Sequence, residues 1–478
     1  MASQSLTEYE RKRLENIKRN DEMMTSLKLH SKALQLSSST NNKRLRNESK
    51  VYKTSPDKKP KSKTAPIVIR CSLRSQGLPP ETSFQDDNFS SPTKNSPKTP
   101  PPKSILTKLG PLTMKQAYMG DDSSASDRLL IDTVKDMSDN APLNVKSGGV
   151  VVGNEGCLDL GSMILKPENI ARVMPGKILN VKFFPCKDRT MIVAGNKFGN
   201  VVFWDVESEQ DEGRNDGIYL YQPHRAPVSG FSIQPFSLSK VFSSCYDGFI
   251  RLLDFEKESF DLVYSTDGAI FSLSQRPQDP NGLCFSEGNN GMVNFWDTRV
   301  GKSSSSWMLH DSRINTIDFN PENTNLMATS STDGSACIWD LRHTDARRPK
   351  YLKIVDHKRA VHSAYFSPTG SCLATTSLDD HVGILSGADF MNTSMVFHNN
   401  HTGRWISSFR AIWGWDDSYL FVGNMKRAVD VISTDRDITT LQSSDMSAIP
   451  CRFAAHPYEV GTLAAATSGG QIYVWTQS

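Results

Sequence analysis

The stretch Ser330-Ser331-Thr332-Asp333-Gly334-Ser335-Ala336-Cys337-Ile338-Trp339-Asp340-Leu341-Arg342 decides the fold of this chain, because weaker copies of it recur from residue 178 to the C-terminus. The copies combine a short apolar strand, a strand of small residues, a tight turn that in most of them contains glycine, and a second apolar strand. Glycine in such turns supplies the positive φ that tight hairpins need. A unit of roughly 40–50 residues that ends in Trp-Asp is typical of a β-propeller blade.

Seven units of this kind predict an all-β protein, a seven-bladed WD40 β-propeller. The units are Ile178–Val206, His224–Asp254, Ala269–Arg299, His310–Arg342, His357–Leu385, Arg404–Ile432 and Ser447–Trp475. The sixth is the least regular, and its first strand is predicted over Ile406–Trp413. The chain ends soon after the third strand of the seventh unit. We therefore expect the apolar run Leu160–Leu165 to supply the missing outer strand and close the ring.

A polar network is expected inside the blades, where a histidine before the first strand meets a hydroxyl, an aspartate and the tryptophan. In the fourth unit its members are predicted to be His310, Ser331, Asp333 and Trp339. Equivalent histidines stand at positions 224 and 357. Because they occupy repeat positions, a structural role is sufficient to explain them.

Residues 1–145 differ in composition from the propeller predicted over residues 146–478. They are rich in Ser, Pro, Lys and Asn, and such sequences bury too little apolar surface to offset chain entropy, so most of the region is predicted to be disordered. One amphipathic helix is expected over about residues 7–36, where Thr7 and Glu10 form a capping box. It could dock on a partner or on the propeller, or remain a partly formed solvated helix.

Positive charge is concentrated in this N-terminal region. Residues 1–64 hold 16 Lys and Arg against 7 Asp and Glu, whereas the whole chain carries +3, so the remainder is about −6. The runs Asn42–Arg46 and Asp57–Lys63 resemble nuclear-import signals or nucleic-acid arms, and they predict a nuclear protein. The alternative is a solubilising tail. Ser-Pro sites at Ser55, Ser91 and Ser96 are candidates for phosphorylation, which would cancel part of this charge.

Several functional classes are excluded or disfavoured by the sequence. The eight cysteines include no Cys-x-x-Cys pair, which indicates reduced thiols and no zinc site. No signal peptide or apolar run of membrane-spanning length is present. The triplet Gly301-Lys302-Ser303 lacks the upstream glycine of a phosphate loop, and His398–His401 has no third metal ligand nearby. We expect no enzyme activity, cofactor, metal, membrane contact or small-molecule substrate.

Two adjacent units end in Trp-Asp-x-Arg, at Trp296–Arg299 and Trp339–Arg342. The tryptophans belong to the core. The acidic and basic residues, Asp297, Arg299, Asp340 and Arg342, are predicted to lie past the strand ends on the wide rim. They form either local pairs that steady the turns or a docking patch for a partner.

A second surface feature comes from the loops that lead into the first strand of each unit, which should share the narrow face. Five of the seven loops carry cations, and the other two carry Asp267 and Asp445. A ring of cations on an otherwise mildly acidic domain is typical of phosphate-backbone binding. The predicted DNA-binding residues are Lys177, Arg225, Arg313, Lys358, Arg359, Arg404 and Trp405. Trp405 could stack on a base, or it could be a buried aromatic at the start of a strand.

The opening run Leu6–Asn20 and the propeller together resemble the WD-repeat-76 family, whose fungal members are called DNA damage-binding protein CMR1; we expect a plant member. A more distant likeness, at Ile338–Arg342 and His357–Pro368, is to damage-binding protein 2, the ultraviolet-lesion receptor. The resemblance implies a nuclear DNA-binding propeller in the DNA damage response. It also implies docking on the propeller adaptor of cullin-4 ubiquitin ligases through Trp-Asp-x-Arg.

In that distant relative a hairpin inserts an aromatic-bearing tripeptide at the lesion, and by position it falls on Gly403-Arg404-Trp405. The residues differ, so the relative's lesion preference is not carried over. Arg313 falls where the relative has a lysine-rich loop that faces DNA. The rival hypothesis is a chromatin scaffold that binds histones or other peptides without contacting DNA.

Overall fold

The structure, a computed structural model, describes residues 110–120, 123–139, 158–208, 216–234, 237–345, 348–403 and 405–477. The chain divides into two compact units, Met1–Pro100 and Pro101–Ser478, and all of these ranges belong to the second. In the first unit the described residues are Glu15, Lys18, Arg19 and Glu22, which are helical and exposed. The rest of the helix predicted over about residues 7–36 lies outside the described residues.

Strands dominate the described ranges. The helices are α1 (Met114–Ala117) and α2 (Ser123–Asp139), with 3₁₀ turns at Leu160–Ser162 and Ala388–Phe390. The first strands are β1 (Leu112–Thr113), β2 (Met163–Arg172), β3 (Ile178–Phe183), β4 (Met191–Asn196), β5 (Val201–Asp205), β6 (Ile218–Tyr221), β7 (Val228–Gln234), β8 (Ser237–Cys245), β9 (Phe249–Asp254), β10 (Ser259–Ser265), β11 (Ile270–Gln275), β12 (Gly282–Glu287), β13 (Met292–Asp297) and β14 (Lys302–Met308). The remaining strands are β15 (Ile314–Phe319), β16 (Leu326–Ser331), β17 (Ser335–Asp345), β18 (Arg348–Asp356), β19 (Val361–Phe366), β20 (Leu373–Ser377), β21 (His381–Ser386), β22 (Asn392–Phe397), β23 (Ile412–Trp413), β24 (Tyr419–Asn424), β25 (Ala428–Ser433), β26 (Ile438–Leu441), β27 (Pro450–Ala455), β28 (Leu463–Thr467) and β29 (Gln471–Gln477).

These strands form seven antiparallel sheets, which confirms the seven-bladed propeller. Blades 1 to 6 are β3–β6, β7–β10, β11–β14, β15–β18, β19–β22 and β23–β26, and blade 7 is β27–β29 with β2. The first strand of every blade contacts the first strand of the next, from β3 around to β27 and back to β3. These seven inner strands therefore surround a central channel.

The second strand of a blade is its most buried part. Every residue of β4, β16 and β28 is buried, because a neighbouring blade covers each face of the sheet. That double burial explains why these strands are continuous apolar and small-residue runs without alternation. The apolar core accordingly lies in layers between adjacent blades. One layer joins Cys284 and Val293 of blade 3 to Trp339 of blade 4.

The ring closes as the sequence predicts. Strand β2 pairs antiparallel with β29, with Leu165 opposite Trp475 and Met163 opposite Gln477. The strand that completes the last blade thus comes from the segment just before the first blade. Pairing it removes an edge that would otherwise be open to aggregation.

A segment before the predicted propeller boundary is built into the fold. Strand β1 adds a fifth strand to blade 2, with Leu112 opposite Phe260, and the Arg251 guanidinium donates a 3.1 Å hydrogen bond to the Gly110 carbonyl. Helix α2 packs its buried Leu130 and Val134 into the core that blades 1 and 2 share. This differs from the predicted boundary at residue 145. The polar composition around α2 conceals the apolar spacing of the helix.

The polar network of blade 4 forms, with one correction. His310 Nδ1 lies 3.0 Å from Asp333 Oδ2, His310 Nε2 lies 2.7 Å from Thr329 Oγ1, and Trp339 Nε1 donates to the same hydroxyl at 2.8 Å. The shared hydroxyl is therefore that of Thr329. Ser331, which was predicted in this place, does not contact His310 or Trp339. It stands at the end of β16, where its Oγ donates to the Ser312 carbonyl and accepts from the Asp333 amide, both at 3.2 Å.

The turn next to this network requires glycine. Gly334 has a φ of +96°, and a Cβ there would stand 2.9 Å from the His357 carbonyl oxygen. The turn between the second and third strands of blade 4 therefore packs directly on the loop that leads into blade 5.

Candidate nucleic-acid interface

The loops that lead into the inner strands, here called entrance loops, lie at one end of the channel because all inner strands start from that end. We call this end the narrow face. Hydrogen bonds hold the loops in place: the Arg225 amide donates to Asp247 at 3.2 Å, and the Lys358 amide donates to Asp379 at 2.9 Å. The repeat aspartates thus fix the backbone that carries the predicted DNA-binding cations.

Three of these cations are accessible to a phosphate group. Arg225, Lys358 and Arg359 are exposed, and they form no ion pair with a carboxylate in the described part of the chain. Lys177 is half-buried, and its pKa is lowered, mainly by burial and secondarily by the nearby charge of Lys197. The narrow face therefore presents positive charge that acidic neighbours have not neutralised, as phosphate binding requires.

Arg313 is held differently, against aromatic rings. Its guanidinium lies 4.8 Å from the centroid of the Phe271 ring and donates from Nε to Asn315 Oδ1 at 3.1 Å. The Phe271 ring in turn contacts Tyr246 edge-on, with centroids 4.7 Å apart. Stacking fixes the arginine beside the channel without removing its charge.

Trp405 is exposed, so the alternative of a buried aromatic at the start of a strand is wrong. Of its surface, 88% remains accessible, and it lies in the turn before blade 6. The Ser407 amide donates to Ser468 Oγ of blade 7 at 2.9 Å and anchors the end of this turn. Arg404, which the sequence grouped with Trp405, lies outside the described residues.

The first strand of blade 6 is shorter than predicted. Only Ile412 and Trp413 pair with β24. The Ala411 amide donates to Thr376 Oγ1 of blade 5, at 3.0 Å. The Ala364 amide of the regular blade 5 likewise donates to Thr316 Oγ1 of blade 4, at 3.0 Å, so this contact between blades is shared with the regular blades.

Further residues that were not predicted from the sequence add to this face. Lys197 and Phe198 occupy the turn between the second and third strands of blade 1, with the ammonium group 4.5 Å from the ring centroid. Lys426 and Arg427 occupy the corresponding turn of blade 6 and are exposed. These two turns, between the second and third strands of blades 1 and 6, come together on the narrow face only when the blades assemble into the ring. Asp267 and Asp445 are exposed as well, so the cations are interrupted at blades 3 and 7.

The two Trp-Asp-x-Arg motifs contain paired charges. In blade 4 the Arg342 guanidinium is bidentate on Asp340, with Nε–Oδ1 at 3.0 Å and Nη2–Oδ2 at 2.7 Å. In blade 3, Arg299 Nη2 makes a single 3.2 Å side-chain contact with Asp297. Asp340 and Arg342 lie within β17, which continues to Asp345, so the expectation that they follow the strand end is wrong. A register shift after Asp340 lets the strand continue.

One group of side chains in the described residues has the composition of a metal site: His224, Cys245 and Asp247. His224 Nδ1 lies 3.3 Å from Asp247, and its Nε2 lies 2.9 Å from Ser243 Oγ. These are the contacts that His310 makes in blade 4, with Cys245 at the position of Ser331. Burial raises the pKa of the Cys245 thiol well above its usual range. The repeat network explains this group without a metal ion.

Comparison with known proteins gives the family. The family model for the WD domain, G-beta repeat, matches residues 301–340 and 349–384. WD repeat-containing protein 76 of Xenopus laevis is 30% identical over 434 residues, which cover 88% of this chain and 71% of the relative. The chain belongs to the WD repeat-containing protein 76 family.

Fungal relatives of this family carry a functional name. The Aspergillus clavatus protein named DNA damage-binding protein cmr1 is 26% identical over 99% of both chains. The Neurospora crassa protein of the same name is 28% identical over 64% of this chain and 66% of its own length. The chain is therefore a WD40 protein of a family tied to DNA damage. In its described helices, no segment is long and apolar enough to cross a membrane.

Proposed function

We propose that this protein binds DNA through its narrow face and acts in the DNA damage response in the nucleus, as a binding platform without an enzymatic reaction of its own. The observation that carries the proposal is the set of exposed, carboxylate-free cations Arg225, Lys358 and Arg359 on one face. The names of the fungal relatives support it. Exposed Trp405 on the same face supplies a surface on which an unpaired base can stack.

Charge reversal tests this proposal. The variant Arg225→Glu/Lys358→Glu/Arg359→Glu of the full chain should lose at least tenfold in affinity for a labelled duplex. The dependence of log K on log salt should become shallower by roughly 0.9 for each phosphate that the variant no longer neutralises. Fluorescence anisotropy at several salt concentrations measures both quantities. Unchanged affinity and slope would remove the narrow face as the DNA site.

A matched control carries the same charge change on other surfaces. Lys166, Lys187 and Lys302 are exposed and lie toward the opposite end of the blades, so their reversal to Glu should leave the salt slope close to that of the unmodified protein. The histone-scaffold alternative predicts a different outcome. Naked duplex would bind weakly to every variant, and an acidic or histone peptide would respond to the narrow-face charges instead.

We further propose that the Trp-Asp-x-Arg rim docks on the propeller adaptor of a cullin-4 ubiquitin ligase. The bidentate Asp340–Arg342 pair presents a pre-oriented guanidinium whose side chain is 57% exposed. Such pre-orientation reduces the ordering cost of binding. Arg342→Ala should therefore lose adaptor binding in a pull-down with purified adaptor, while duplex binding stays normal. Arg299→Ala should lose less, because Arg299 is held by one contact. Normal co-purification of Arg342→Ala would refute this docking site.

A further inference from the structure

The central channel contains an arrangement of cations that the narrow face does not use. Arg452 stands in β27 directly after its bulge and pairs with Ala466. The corresponding positions of blades 1, 3, 4 and 5 hold the small or neutral residues Asn180, Ser272, Thr316 and Ser363. In blade 6 the corresponding residue is Arg410, two positions before β23. Two arginines thus occupy the same level of the channel on neighbouring blades.

Both guanidinium groups reach across blade boundaries. Arg452 donates from Nε to the Leu179 carbonyl of blade 1 at 2.8 Å, and from Nη1 to the Ser408 carbonyl before blade 6. Arg410 donates from Nη2 to the Asn315 carbonyl of blade 4 at 3.3 Å. In the described part of the chain, neither arginine forms an ion pair with a carboxylate. Arg410 Nε is buried without a hydrogen-bond acceptor.

The same positive charge contributes to the lowered pKa values of neighbouring groups. Burial and the nearby charge of Arg410 lower the pKa of Arg452 to about 10. Burial, followed by the charges of Arg410, Arg452 and Arg313, lowers the pKa of His362 to about 3. Like charges brought together away from bulk water are costly unless an anion offsets them.

A cavity adjoins the two arginines. Its volume is about 600 Å³, and its walls include Arg410, Arg452 and Lys182 at one end and Gln278 and Tyr458 at the other. Gln278 and Tyr458 belong to the loops between the first and second strands, which lie opposite the entrance loops. The cavity is thus approached from the end of the channel away from the narrow face. Its volume suits a small ligand.

We propose that this cavity binds a small phosphate-bearing molecule, with Arg410 and Arg452 as the phosphate-binding groups. Guanidinium forks match phosphate oxygens in a bidentate manner. A phosphate group carrying close to two negative charges would balance both arginines, which a single carboxylate would not. Lys182 stands two residues beyond Asn180 on the same inner strand and adds a third cation to the cavity wall, where it faces the carboxylate of Asp318. This site is separate from the proposed DNA interface.

Pyrophosphate is a suitable probe, and the full-length protein is the sample. Isothermal titration calorimetry should give saturable binding near one equivalent, with a rise in melting temperature. Arg410→Gln should weaken binding at least tenfold, because it removes one of the two phosphate-binding guanidinium groups. The variant should still fold, because Arg410 makes one hydrogen bond to the protein and the contacts of Arg452 between blades remain intact. Lys182→Gln should weaken binding by a smaller factor. The control Lys166→Gln, exposed on β2, should bind like the unmodified protein.

Several results would overturn the proposal. These are no saturable pyrophosphate binding, normal binding by both channel variants, or tighter binding of an oligoglutamate peptide than of pyrophosphate at the same site. Having two channel variants keeps the test decisive if one of them folds poorly, which a circular dichroism melt would reveal. Duplex affinity of Arg410→Gln should stay normal. A failure of the channel site is therefore distinguishable from a failure of the narrow-face site.

Discussion

Blades 4 and 6 show two ways of using the same repeat. In blade 4, Thr329 accepts from Trp339 and lies within hydrogen-bond distance of His310, and all four strands are long. In blade 6 a carboxylate replaces this arrangement: Asp430 accepts from Asn424 at 2.8 Å and lies 3.2 Å from His398 Nε2. In blade 4 the side chains of this network serve folding, and in blade 6 the departures from the repeat place Trp405 and Arg410 at the proposed binding sites.

The departures in blade 6 are concentrated before its short inner strand. Trp405 projects from the turn with 88% of its surface accessible, and Arg410 enters the channel. A regular blade would bury an apolar residue at the start of this strand, as blades 4 and 5 do with Ile314 and Val361. The irregular blade therefore contributes to both proposed binding sites. The regular blade contributes stability to both.

Breaking the hydrogen-bond network of blade 4 should change the free energy of unfolding more than any other substitution predicted below. Thr329→Val removes the acceptor for Trp339 Nε1 and the partner of His310 Nε2, and leaves both buried groups unsatisfied. Each such loss costs about 1–3 kcal/mol, so the free energy of unfolding should fall by about 2–6 kcal/mol. Urea unfolding followed by tryptophan fluorescence measures it. Thr393→Val, on an exposed strand position of blade 5, is the control and should change stability by less than about 0.5 kcal/mol. Equal stability of the two variants would contradict a structural role for the network.

Removing the exposed aromatic of blade 6 should leave stability unchanged and weaken DNA binding. Base stacking on an aromatic side chain is worth about 1–3 kcal/mol, so Trp405→Ala should lose roughly 5- to 150-fold in affinity for DNA that carries an unpaired base. Anisotropy with intact, mismatched and single-stranded DNA measures this loss. Phe397→Ala, 68% exposed on the outer strand of blade 5, should bind normally. If the two variants behave alike, Trp405 is not a stacking residue.

A smaller change in stability is expected at Asp318, a half-buried carboxylate on the inner strand of blade 4 that lines the channel cavity. Burial raises the pKa of Asp318 to about 6, although the Phe366 amide and Lys182 oppose this shift. The native state therefore retains a proton that the unfolded chain releases, and stability falls as pH rises from about 4 to about 6. Asp318→Asn keeps an acceptor for the Phe366 amide but cannot ionise.

Asp318→Asn should therefore unfold with a flatter pH profile and gain about 1 kcal/mol at pH 7. The rise in the pKa of Asp318 to about 6 corresponds to at most about 3 kcal/mol. The gain is smaller than this because the substitution also removes the negative charge that faces Lys182. Thermal melts between pH 4 and pH 7 measure the change. A variant whose stability still declines across this range would show that another group is responsible.

Much of the fold follows from local sequence patterns. Ring closure by Leu160–Leu165 was predictable because the last unit lacks an outer strand and an unpaired edge is unfavourable. The seven blades were predictable because each carries its own buried strands and five carry a glycine in the turn between the second and third strands. Asp380 and Arg427 adopt the positive φ in that turn of blades 5 and 6. Helix α2 was not predicted, because its apolar residues acquire a partner only where Tyr221 and Phe260 of two blades meet.

The candidate sites were predictable only in part. Repeat equivalence identified Arg225, Lys358 and Arg359 as cations of one face, because equivalent positions in a closed ring lie at the same level. It could not show that Trp405 is exposed or that Lys197 joins the same face. The choice between Ser331 and Thr329 depended on where β16 ends.

Strand order, turn positions and blade number are encoded in short stretches of this chain, because buried strands and positive-φ turns each span only a few residues. The availability of charge is encoded locally only where the partner stands close by in the sequence. Arg342 is held by a carboxylate two residues away, while Arg410 and Arg452, 42 positions apart in the sequence, face one cavity without any carboxylate partner in the described part of the chain. Only the closure of seven blades around a channel brings such side chains together, because long-range packing decides which groups lose water and which remain exposed to it.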